Sequence, residues 1–163
     1  MAKTPVVAVI MGSDSDLPVM NEAVKVFEDH GVFYKKMILS AHRSPDDAAK
    51  FAKTASAKGY KVIIAGAGGA AHLAGVVASF TTLPVIGVPM ETKELKGIDS
   101  LLSIVQMPSG IPVATVTIGR TGAKNAAILA LQILATNDKK MTKRLEAFKK
   151  SLAESVRAKN KAL

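Results

Sequence analysis

Five short apolar runs, each preceding or following a segment with helical spacing, constrain this chain more than any other feature of it. Residues 5–11 (PVVAVIM) are rich in β-branched side chains and show no polar alternation, as expected of a strand buried on both faces of a parallel sheet. Residues 32–39, 60–65, 84–88 and 111–118 read as four more strands. Between them the spacing predicts helices. The first runs to about residue 30, with Val19, Met20, Ala23, Val24 and Phe27 on one face and Gly31 as its left-handed stop. Others are read over 45–58 (ended by Gly59), after the small-residue turn 66–72, over 98–107, from the glycines at 119–122 to about 136, and over 138–159. The stretch 38–45 (ILSAHRSP) joins the second strand to the second helix, with Ser44 as N-cap, Pro45 first in the helix and Asp47 placed for a capping box.

This alternation predicts an α/β fold, a flavodoxin-like or Rossmann-like three-layer sandwich around a central five-stranded parallel sheet, with a C-terminal helical tail. No repeat, low-complexity run or linker divides the chain, so residues 1–163 read as one domain. The helix over 123–136 is apolar nearly all round and must be covered on every side, which calls for a second subunit. The tail helix, 137–163, sets Met141, Leu145, Phe148, Leu152 and Val156 in a stripe among lysines and arginines. It is expected to dock on a neighbouring subunit, the alternative being a membrane surface.

The net charge of +9 raises the question of nucleic acid, but +6 of it lies in residues 138–163. With five Phe, two Tyr and no Trp, stacking platforms are scarce, and no nucleic-acid partner is expected. The absence of cysteine suits a reducing compartment. The run at residues 6–11 is too short for a leader core or a membrane span, so a cytoplasmic protein is expected.

In open parallel sheets ligands bind beyond the carboxyl ends of the strands. Three loops lie there: 12–16 (GSDSD), 40–44 (SAHRS) and 66–71 (GAGGAA). Small residues let backbone approach a ligand, while Ser13, Ser15, Ser40 and Arg43 offer donors suited to a phosphate. Asp16 fits either a helix cap or sugar hydroxyls. His42 can give and take a proton near neutral pH, or simply bind a backbone carbonyl; His72 is a weaker candidate, and His30 beside Gly31 reads as structural. No residue set has metal-ligand spacing. Gly66-x-Gly68-x-x-Ala71, with Glu91 twenty residues on, matches a dinucleotide fingerprint but follows the third strand and not the first. A flavin- or dinucleotide-binding oxidoreductase is therefore a remote alternative.

Taken in order, Met11-Gly-Ser-x-Ser-Asp16, Ser40-Ala-His-Arg43, Gly66-Ala-Gly-Gly-Ala-Ala-His-Leu73, Gly97-x-Asp-Ser-Leu101, Ser103-Ile-Val-Gln-Met-Pro108 and Asn125-Ala-Ala resemble the N5-carboxyaminoimidazole ribonucleotide (N5-CAIR) mutases of purine biosynthesis. The resemblance implies a flavodoxin-like subunit in a homo-octamer with shared active sites, acting on a small ribonucleotide without metal or nucleotide cofactor. It implies transfer of a carboxylate from the exocyclic nitrogen of N5-CAIR to ring carbon 4, by decarboxylation and recarboxylation in a closed pocket, with His42 moving the proton. By matching positions, Ser13, Asp16 and Arg43 would hold the ribose phosphate. Ser40, Ala41, Gly68, Gly69 and Ala70 would line the imidazole and carboxylate pocket, with His72 beside it. Ala74 and Ser44 stand where the family usually has proline and threonine. A related branch carboxylates aminoimidazole ribonucleotide (AIR) directly with CO2; Arg43 and the 66–73 loop favour the mutase branch.

Overall fold

A computed structural model describes residues 5–162. Its sheet is wholly parallel, in the order β2-β1-β3-β4-β5, from β1 (Val7–Met11), β2 (Tyr34–Ile38), β3 (Val62–Ala67), β4 (Val85–Pro89) and β5 (Ala114–Thr115). The helices are α1 (Leu17–Asp29), α2 (Pro45–Ala55), α3 (Leu73–Ser79), α4 (Ile98–Val105), α5 (Gly119–Ala135) and α6 (Lys139–Lys161). The described residues gather into two compact units, one ending at Ala130 and the other beginning at Leu131.

In the first unit β1, β3 and β4 are buried along their whole length, which is why their sequences lack polar alternation. Alternate strand residues serve opposite faces. Ala8, Ile10, Ile63 and Ala65 share one core with Phe51 and Ala52 of α2, Leu73 and Val77 of α3, and Ile104 of α4. On the other face lies α1, with Met20, Ala23 and Phe27 fully buried. Two glycines admit helices to the sheet. A Cβ at Gly66 would strike Met20 and Met90, and one at Gly87 would strike Ile104.

The helix stops follow the sequence. Gly31, at φ +63°, lets Gly31 N–H reach the Glu28 carbonyl and Val32 N–H the Phe27 carbonyl. Gly59 does the same for the second helix: regular α-structure stops at Ala55, but the turn closes through Tyr60 N–H on the Ala55 carbonyl. His30 Nδ1 lies 2.9 Å from the Val26 carbonyl. Two expectations are corrected. The run 111–118 is not an eight-residue strand: its paired residues are Ala114 and Thr115, with Val116 N–H also reaching the Gly87 carbonyl, and Pro112 near its start has no N–H to give. Ser44 precedes α2 as foreseen, but its side chain makes no cap bond and no capping box forms, since its hydroxyl is bound within the 40–44 loop.

In the second unit Asp138 caps α6 by accepting from Lys140 and Met141 N–H. The apolar stripe of α6 is buried at Met141 and Leu145 but exposed at Leu152 and Val156.

One ion cluster joins α1 to α5 within the first unit. The Glu22 carboxylate, 8% exposed, meets Lys25 Nζ at 2.8 Å, Arg120 Nη1 at 3.2 Å and Lys124 Nζ at 3.2 Å. Bonds from Lys25 and Lys124 hold its pKa down at about 2, from 4.5. A lowered carboxylate stabilises the fold above its unfolded value and loses that effect as pH falls toward the folded one. Glu22→Gln should therefore melt below the parent chain at pH 6, and the gap should close between pH 4.5 and pH 2 in thermal melts.

Candidate active site

The carboxyl ends of β1, β2 and β3 lie side by side, and the loops that leave them surround a cleft of about 330 Å³. Ser13, Ser15 and Asp16 line it from the first loop, Ser40, Ala41, His42 and Arg43 from the second, and Gly68 and His72 from the third. Gly69 and Ala70 belong to that third loop but are not among the lining residues. Met90 and Glu91, just past β4, complete the lining. A second hollow of about 290 Å³ borders the first and shares Ser13, Ser40 and Arg43 with it.

Each loop is shaped by short-range bonds. In the first, Ser13 Oγ accepts from Ser15 N–H and Asp16 Oδ2 accepts from Ser13 N–H at 3.2 Å, a capping box on a single 3-10 turn, Asp14–Asp16. Asp16 is thus a cap and a lining residue at once. Burial pushes its pKa up, against opposing bonds from Ser13 and Ser15. In the second loop, Ser44 Oγ donates to the Ser40 carbonyl and accepts from Ser40 N–H, while Ser40 Oγ accepts from Arg43 N–H at 3.0 Å. The Arg43 guanidinium spends one N–H on the Gly12 carbonyl at 3.4 Å, which ties the second loop to the first.

The third loop is the most constrained. Gly69 has φ +65° and Ala71, a residue with a side chain, φ +42°. Ala71 N–H closes the turn on the Gly68 carbonyl at 3.1 Å. From behind, Ser100 Oγ accepts from Gly69 N–H at 2.9 Å. The turn delivers His72, whose Nδ1 lies 2.7 Å from His42 Nε2, with the rings edge to face at 78°. At that distance one facing nitrogen donates and the other accepts. Both imidazoles are exposed to the cleft side of the molecule. Among the described residues no three His, Cys, Asp or Glu side chains come together to hold a metal ion.

The AIR carboxylase family model matches residues 6–155 of this chain. The chain is 56% identical over 162 residues to the N5-carboxyaminoimidazole ribonucleotide mutase of Pyrococcus horikoshii, covering 99% of this chain and 90% of that protein. It is 54% identical to the protein of the same name from Vibrio parahaemolyticus, over 93% of this chain and 94% of the relative. This chain belongs to the N5-carboxyaminoimidazole ribonucleotide mutase family. The crystal structure of Treponema denticola PurE superposes with a TM-score of 0.88 at 29% identity, covering 98% of both chains, in agreement with the flavodoxin-like sandwich.

Membership also accounts for motifs that do not touch the cleft. The mutase-like segments 97–101 and 103–108 fall on and after α4, where Ser100 and Ser103 reach back to Gly69. Met90 and Glu91 are lining residues that the loop-by-loop reading passed over. The signal was available, since they follow the carboxyl end of a central strand just as the other loops do.

The raised Asp16 binds its proton more tightly in the folded chain, so its ionised form is a cost to folding that grows as pH rises through the folded value. Asp16→Asn keeps an oxygen acceptor for Ser13 N–H and removes that charge. Its melting temperature at pH 7 should equal or exceed that of the parent chain; a fall would assign the carboxylate a stabilising role in the turn.

Proposed function

We propose that the enzyme converts N5-CAIR to 4-carboxy-5-aminoimidazole ribonucleotide (CAIR) in purine biosynthesis, with His42 as the general acid and base. The observation that carries this reading is the His42–His72 pair at 2.7 Å, set between a phosphate-suited arginine and a glycine-rich wall. Loss of CO2 from the exocyclic nitrogen requires a proton there. Addition of CO2 at carbon 4 releases one from that carbon. A single imidazole that gives the first and takes the second leaves atoms and charge balanced without a cofactor.

His72 Nδ1 opposite His42 Nε2 offers a partner that accepts or donates as the reaction needs, so that neither charge state of His42 is left without a bond. Arg43 retains guanidinium N–H groups beyond the one on Gly12 and suits the substrate phosphate, together with Ser13 and Ser15. Asp16 takes the cap bond on Oδ2, while Oδ1, which accepts from Ser15 Oγ at 3.5 Å, has a further lone pair for ribose hydroxyls. Ser40, Ala41 and Gly68 form the wall against the imidazole and carboxylate, with Gly69 and Ala70 following Gly68 in the same turn. Enclosure fits the chemistry, since freed CO2 must be recaptured before it diffuses away.

The same reading takes the enzyme to be a cytoplasmic homo-octamer of one-domain subunits with no metal, nucleic-acid or membrane partner. Support for assembly comes from apolar surface left uncovered in one chain: Ile98, Leu102 and Val105 on α4, and Leu152 and Val156 on α6, are each about half exposed. Among the described residues no helix is long and apolar enough to cross a membrane.

The test is a paired assay without ATP, giving the protein N5-CAIR in one arm and AIR with bicarbonate in the other. CAIR should form rapidly from N5-CAIR, with AIR used only at high bicarbonate. Efficient use of AIR with N5-CAIR ignored would assign the direct carboxylase reaction instead. His42→Asn should retain substrate binding and lose at least about 10²-fold in turnover. Turnover near that of the parent enzyme would remove His42 from the assigned role.

A further inference from the structure

The residue that fixes the glycine wall does not line the cleft. Ser100 and Glu22 are the buried polar side chains among the described residues, and Ser100 is 0% exposed. Its hydroxyl accepts from Gly69 N–H at 2.9 Å, and Ser103 Oγ, one helical turn on, donates to the Gly69 carbonyl at 3.4 Å. One peptide residue is therefore held at both its polar groups by a single helix. That residue is in the left-handed region, and two positions later Ala71 is there as well, immediately before His72.

Helix α4 is itself fixed against sliding. Gly97 begins it at φ +90°, with its N–H on Thr92 Oγ1 at 3.2 Å, and Thr92 Oγ1 donates to Asp99 at 2.8 Å. Further along, Ile104 fills the notch left by Gly87 in β4. The helix thus transmits the position of the sheet to the loop through two serine hydroxyls. Replacing Ser100 by alanine would leave the Gly69 amide without its acceptor and release the bond that holds the left-handed turn.

We propose that Ser100, assisted by Ser103, is a positioning residue of the reaction: it locks the Gly69 peptide so that the wall stays closed and His72 stays against His42. The proposal rests on the mutase reading above. A wall that loosens should impair recapture, so freed CO2 escapes and AIR accumulates in place of CAIR. A merely structural serine would lower stability and leave that partition alone.

The experiment compares the parent enzyme with Ser100→Ala, Ser103→Ala and, as a packing control outside the site, Phe27→Leu in the fully buried part of α1. Each is assayed with N5-CAIR for kcat, KM and the fraction of turnover released as AIR, beside a thermal melt. Ser100→Ala should lose about tenfold or more in kcat, with KM within roughly threefold and a raised AIR fraction. Phe27→Leu should lower the melting temperature and leave the partition unchanged. If Ser100→Ala does not fold, Ser103→Ala reads the exposed half of the clamp, with a smaller kcat loss and the same rise in AIR. Parental kcat and partition in Ser100→Ala, or in Ser103→Ala where it stands in, overturns the proposal while the mutase reading stands. So does a Phe27→Leu that raises the AIR fraction equally. A parent enzyme inert to N5-CAIR overturns both.

Discussion

Everything at the cleft depends on β1 being hydrogen-bonded on both sides. Its register sets Met11 against Ile38 of β2 and against Gly66 of β3, so three strands reach the same level together. The loops that leave them start within two strand spacings of one another, roughly 10 Å. Strands buried on both faces, as β1, β3 and β4 are, cannot slip without moving apolar side chains out of two cores at once. The placement of His42 and His72, thirty residues apart in sequence, follows from that register before any loop detail is considered.

Register brings the loops together, but hydroxyl groups give them their shapes. Ser13 with Asp16, Ser44 with Ser40, and Ser100 with Gly69 each use a side-chain oxygen to satisfy a backbone N–H near the end of a strand. Each such bond is worth about 1 kcal/mol net, which is small beside the sheet's burial but comparable with the cost of one alternative loop conformation. The loops are also tied to one another, by Arg43 on the Gly12 carbonyl and by the imidazole pair. They form a connected rim around the cleft, supported from behind by α4.

Most of this was legible from residue order because the periodicities are strong. The uninterrupted apolar runs of β1, β3 and β4 mark strands buried on both faces, and Gly31 and Gly59 end their helices for the reason that makes glycine informative there. What could not be read turned on competition for the same atom. Ser44 has the look of a helix cap, yet its hydroxyl is nearer the Ser40 backbone and is spent there. The strand over 111–118 fails for a different reason: β-branched composition reports the tendency to be extended, whereas pairing also needs backbone donors, which Pro112 lacks. Ser100 stands in the 97–101 segment that carries the family resemblance, but its contact is silent in sequence because its partner lies 31 positions away. The lining role of Glu91, two residues past the end of β4, was within reach of the strand-end rule.

Ala71 shows how closely stability and site geometry are balanced. A left-handed conformation costs a residue with a Cβ roughly 1–2 kcal/mol, and glycine would remove that cost. The Ala71 side chain, however, is buried in the core shared with α2 and α3, where one methyl group contributes about 0.8 kcal/mol. Glycine would also raise the entropy of the unfolded chain, by about 0.4–1 kcal/mol. The terms nearly cancel, so stability gives little reason to prefer either residue. Rigidity does. Glycine at this position could leave the turn by several routes, while alanine is held by its methyl group in the core and by its N–H on the Gly68 carbonyl. A strained residue with a buried methyl carries the chain into His72 along one path. That single path is what a cleft built on a 2.7 Å contact between two imidazoles requires.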